Sequence, residues 1–66
     1  MKKIKMIRVI DERGQVITAK GSRAERLWEA LKARCIYDHV NKRGQIEMQI
    51  LDRLGRFLFR TVEVVV

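Results

Sequence analysis

A chain of 66 residues makes one small domain, residues 1–66, which hides only about 60% of the surface its unfolded chain exposes. Cys35 is the only cysteine and His39 the only histidine, which excludes an internal disulfide, argues against a structural metal, and leaves packing or self-association to stabilise the fold. The hydrophobic share of 47% is that of a globular chain, and the net charge of +7 favours polyanionic partners.

The charge is uneven. Residues 1–34 hold ten Lys and Arg against four Asp and Glu, giving +6, whereas residues 35–66 hold five against four, giving +1. The chain opens "MKKIKMIRVID", lysines followed by apolar residues as in a secretory leader. Lys5, Arg8 and Asp11 interrupt that run, so no secretory core forms. Nor does any apolar run approach the roughly 20 residues of a membrane span. With a lone thiol, these features predict a cytoplasmic protein that does not enter membranes.

"KMIRVI" and "QVITA" read as strands around "DERG", Asp11–Gly14. The same pattern, Asx-x-x-Gly followed by Gln or Arg and an apolar residue, returns as "NKRG", Asn41–Gly44, and "DRLG", Asp52–Gly55. Asx bonds its own backbone two residues on, and glycine accepts positive φ, which together suit a type I turn with a G1 bulge. A calcium loop would need acidic ligands at alternate positions, and these are missing. The repeat is therefore hairpin punctuation.

"GSRAERLWEALKARC" breaks the strand pattern. Ser22 with Glu25 three residues later reads as a capping box, and Ala24, Leu27, Trp28, Leu31 and Cys35 fall on one helical stripe, which places Trp28 in the core. Ile36 and Val40 would leave that stripe at 100° per residue, so the helix stops near Arg34. "CIYDHV" has strand composition. After it, Ile46, Met48 and Ile50 alternate with Gln45, Glu47 and Gln49, and "RFLFRTVEVVV" forms a last strand. The expected fold is α+β, a small antiparallel sheet with one helix packed on one face, in the order β-β-α-β-β-β. Its alternative runs the helix on to Val40 and gives β-β-α-β-β, a β-grasp-like topology. "VEVVV" carries no proline and one acid. It must be central or paired with a second chain, and the need of a short chain for burial favours a homodimer through this C-terminal strand.

Chemistry-bearing residues are sparse. On a strand, Cys35 and His39 share a face but lie about 13 Å apart at ~3.3 Å per residue, too far for a thiol–imidazole pair, and Cys35 reads as core filler. Asp38 beside His39 reads as surface pairing. No phosphate loop, serine elbow or metal spacing is present, so the chain is expected to be neither an enzyme nor a cofactor carrier. Lys20, Arg23 and Arg26 surround the helix start, where N–H groups and the dipole favour anions. The hairpins should bring Lys2, Lys3, Lys5, Lys42 and Arg43 to the same end. Phe57 and Phe59 share a face of the last strand and are expected to pack under Trp28, leaving Tyr37 as the candidate exposed ring. Arg8, Arg56 and Arg60 would then bind phosphates or support neighbouring acids.

The resulting expectation is a small basic nucleic-acid-binding protein, DNA or RNA, an accessory or regulatory factor acting by phosphate neutralisation. Its site would comprise Lys2, Lys3, Lys20, Arg23, Arg26, Lys42 and Arg43. The alternative is a protein-interaction module, an adaptor, inhibitor or self-associating subunit that uses an edge strand.

Overall fold

In the computed structural model, which describes residues 3–66, the three Asx-x-x-Gly segments are tight turns of one design. In each, the glycine N–H donates to the Asx carbonyl at 3.1 Å, and the Asx N–H donates to the carbonyl four residues on, at 2.9–3.0 Å. The Asx side chain completes the turn. Asn41 Oδ1 accepts from the N–H groups of Arg43 and Gln45 at 2.9 and 3.0 Å, and Asp11 and Asp52 do the same in their turns. Gly44 takes φ +80°, a conformation that costs an L side chain roughly 1 kcal/mol or more.

Each turn fixes the register of the strands it joins. The residue before the Asx faces the residue six positions on: Ile10 faces Val16, Val40 faces Ile46, and Leu51 faces Phe57. The elements are β1 (Met6–Ile10), β2 (Val16–Lys20), α1 (Ser22–Arg34), β3 (Cys35–Val40), β4 (Ile46–Leu51) and β5 (Phe57–Val65). They build one five-stranded antiparallel sheet in the order β2-β1-β5-β4-β3.

The helix ends where the apolar stripe predicts, with Arg34 its last residue and Cys35 already extended. Its start differs from expectation. Ser22 is the first helical residue, Gly21 is the N-cap, and no side chain caps the helix, so the expected Ser22–Glu25 box does not form. The cause is the connection. Gly21 alone links β2 to α1, at φ 63° and ψ −134°, a conformation accessible in practice only to glycine. Its N–H is tied to the Lys5 carbonyl at 3.0 Å, and its own carbonyl accepts from Ala24 and Glu25.

Register assigns every strand residue to a face. Ile7 pairs with Val64 and Ala19, Val9 with Val62, and Val62 with Ile46. These residues share the helix side with Met48 and Ile50. Ile7 and Val62 have no exposed surface and Met48 has 2%, and Ala24 inserts from the helix. Leu27, Trp28 and Leu31 pack against this cluster while remaining partly exposed. Trp28 thus closes the margin of the core rather than filling its centre.

β5 is central. Residues 57–62 pair with β4 and residues 61–65 with β1. Of the two expected placements of the C-terminal strand, central or paired with a second chain, the central one is found, with β1 and β4 as its neighbours. The open edges of the sheet are β2 and β3. Where β5 outruns β1, Glu12 takes over: its Oε1 accepts from the Phe59 N–H at 2.9 Å and from Arg60 at 3.3 Å.

Two expected outcomes test the turn design. Gly44→Ala should lose about 1 kcal/mol in urea denaturation while Gly44→Asn loses less, because no atom lies within 4 Å of an added Cβ and only the backbone conformation is at stake. Asp52 is held below its ordinary carboxyl value of 3.8, first by the Arg56 N–H and then by the Arg56 guanidinium and the Leu54 N–H, with desolvation opposing. A depressed folded value stabilises the fold above the unfolded value and is lost as pH falls through the folded one. Asp52→Asn keeps the turn bonds, as Asn41 does, so its denaturation midpoint should fall less on acidification below about pH 4 than that of the wild type.

Candidate nucleic-acid interface

The sheet brings the predicted cations to one end and then divides them between two sides. Met6 faces both Lys20 and Val65, and the Lys5 N–H donates to the Val65 carbonyl at 2.7 Å. The Asn41–Gly44 turn precedes Ile46, which faces Val62, so Lys42 and Arg43 arrive at this same end. Lys3 and Arg26 line a groove on the helix side, together with Glu25, Trp28, Ile46 and Val64. Lys20, one position from the core-facing Ala19, belongs to the opposite face by strand alternation. Lys42 and Arg43 line a groove with Ile10, Glu47 and Thr61 on that opposite face. Arg23 is exposed on the first turn of the helix. Lys2 lies outside the described residues.

None of the described cations of this set forms an ion pair among the described residues, in contrast to the other arginines considered from sequence. Arg8 reaches Glu63 at 3.2 Å, Arg56 reaches Asp52 at 2.8 Å, and Arg60 reaches Glu12 at 3.3 Å. Those three support neighbouring acids. His39 pairs across the strands with Glu47 at 2.7 Å rather than with Asp38, and the Cys35 thiol donates to the Tyr37 carbonyl at 3.2 Å. Among the described residues no cluster of three or more His, Cys, Asp or Glu is placed to hold a metal. Nor is any helix long and apolar enough to cross a membrane.

The largest departure from expectation lies on the face away from the helix. Phe57 and Phe59 do not pack under Trp28: they are 58% and 56% exposed. Phe59 faces Gln49, which in turn faces Tyr37, itself 59% exposed, so two rings flank a glutamine in one row across three strands. Phe57 and Leu51 form the next row, and His39, Glu47 and Thr61 the row on the other side. The sequence held the signal. A turn of this design pairs Leu51 with Phe57, which forces Gln49 opposite Phe59 and Ile50 opposite Leu58. The phenylalanines thereby join the polar face of β4 rather than its Ile46–Met48–Ile50 face.

No protein-family model matches the chain, and no curated protein or solved structure is significantly similar to it.

Proposed function

We propose that this chain is a small, non-enzymatic, basic nucleic-acid-binding protein of the cytoplasm, an accessory or regulatory factor whose affinity rests on phosphate neutralisation. The observation that carries this reading is the convergence of Lys3, Lys5, Lys20, Arg26, Lys42 and Arg43 on one end of the sheet, without ion-pair partners among the described residues, in a chain of net charge +7. Unpaired cations at the surface are free to release the counterions of a phosphate backbone. Glu25, on the helix-side groove, opposes this, which favours Lys20, Lys42 and Arg43 over Arg26 as the principal contacts.

Fluorescence anisotropy with mixed-sequence oligonucleotides at two salt concentrations tests the reading. The log of the association constant should fall linearly with log salt. Lys20→Glu with Lys42→Glu should weaken binding tenfold or more at low salt and reduce the salt slope by about one for each phosphate no longer neutralised. Both residues are exposed, so circular dichroism should not change. Equal binding by the wild type and the double variant would move the site away from this end.

A second reading, a protein-interaction module, draws on the β3 edge. Cys35–Val40 pairs only with β4, contains no proline, and exposes Ile36, Tyr37 and Val40. Strands of this kind invite pairing with another chain. Under this reading, sedimentation of the wild type should show self-association that Ile36→Lys abolishes. A wild type that is monomeric at high micromolar concentration removes self-pairing.

A further inference from the structure

We infer that the sheet face opposite the helix binds single-stranded nucleic acid, with Tyr37, Phe57 and Phe59 stacking on bases and Lys42 and Arg43 holding phosphates. This inference deepens the nucleic-acid reading and rests on it.

Three features of the face point to this occupant. The first is the arrangement of rings. Tyr37 and Phe59 sit two strands apart on either side of Gln49, roughly 10 Å at ordinary strand spacing, and Phe57 lies two residues along β5 from Phe59, roughly 7 Å. All three rings are more than half exposed. A folded chain this short gains from burying aromatic surface, yet these rings lie on the uncovered side of the sheet. Exposed rings on a sheet are platforms for unstacked bases, and every base offers a face to them whatever the sequence.

The second feature is continuity with the cations. A groove of about 470 Å³ runs beside Tyr37 and Phe59 and is lined also by Ile10, Glu47 and Thr61. The same three residues line the groove that carries Lys42 and Arg43. Tyr37, Phe59 and the two cations therefore border one continuous track, the pairing of stacking and charge that a single strand requires. A second copy of this chain would bring the same cations to this track, and a polyanion is the better complement.

The third feature concerns the acids on the track, which are already engaged. Glu47 is held by His39 at 2.7 Å, Glu12 by Arg60 and the Phe59 N–H, and Asp11 by the N–H groups of its own turn. Each of these carboxylates thereby already has a hydrogen-bond or ion-pair partner where a phosphate backbone would run. A duplex keeps its bases stacked inside and offers the rings nothing, so this face should prefer single strands.

Fluorescence anisotropy with labelled oligo-dT and oligo-U, each about twelve nucleotides long and compared with a mixed-sequence duplex, tests the inference. Tyr37→Ala with Phe59→Ala should weaken single-strand binding roughly tenfold or more, leave the salt slope unchanged and leave duplex binding unchanged, while Phe59→Tyr retains binding. Lys42→Ala with Arg43→Ala should instead lower the salt slope by about two. The rings are exposed, so thermal melts of the ring variants should match the wild type, and Phe59→Leu, which keeps apolar bulk without the ring, should still bind weakly. Unchanged single-strand affinity in the ring variants, with the wild type binding, overturns the platform alone. Equal losses on single strand and duplex also overturn it. A wild type that binds neither form at low salt overturns the nucleic-acid reading and this inference together.

Discussion

The fold depends on one strand being flanked on both sides. β5 is the longest strand, nine residues against five or six for the others, and it joins the β1–β2 hairpin to the β3–β4 hairpin. Without it the chain would be two isolated hairpins and a helix, each marginal alone. Its even positions Val62 and Val64 enter or border the core, and its odd positions Phe57, Phe59 and Thr61 face away. The alternation of a single strand therefore builds the core on one side and presents the ring-bearing surface on the other.

Both faces of β5 are apolar in sequence, and this explains what the sequence revealed and what it concealed. The end of α1 at Arg34 was legible because Ile36 and Val40 depart from the stripe of Leu27, Trp28 and Leu31. The three turns were legible because their Asx and Gly residues have definite backbone roles. In "FLFRTVEVVV", however, hydrophobicity alone does not choose between Phe57 and Leu58 as the inward residue. That choice is made by register, which the Asp52–Gly55 turn sets through the pairing of Leu51 with Phe57. The position of β5 was concealed for a related reason. A valine-rich strand with few guards reads equally as a buried centre or a sticky edge, and only its pairing with both β1 and β4 separates the two.

The charge distribution follows from the same topology. Antiparallel hairpins return Lys20 and the Lys42–Arg43 turn to the end where Lys5 lies, so residues distant in sequence form one basic region. Local pairing then sorts the cations. Arg8, Arg56 and Arg60 stand opposite or beside acids in register and are committed to them, although exposed pairs of this kind contribute little to stability. The predicted set lacks such partners among the described residues. Lys20, Lys42 and Arg43 lie on the side of the exposed rings, whereas Lys3 and Arg26 lie on the helix side. Composition and hairpin order make the cations legible in the sequence, but the side of the sheet each one takes depends on register.

If the helix-free face of the sheet is the working surface, backbone amide shifts should reveal it directly. Two-dimensional NMR during titration with an unlabelled single-stranded oligonucleotide maps them residue by residue. The largest changes should fall on Tyr37, His39, Gln49, Phe57, Phe59 and Thr61, together with Lys42 and Arg43, while the outward residues of α1 stay still. Changes concentrated on Arg23, Arg26 and the helix-side groove, with the ring-bearing rows unmoved, would contradict that assignment.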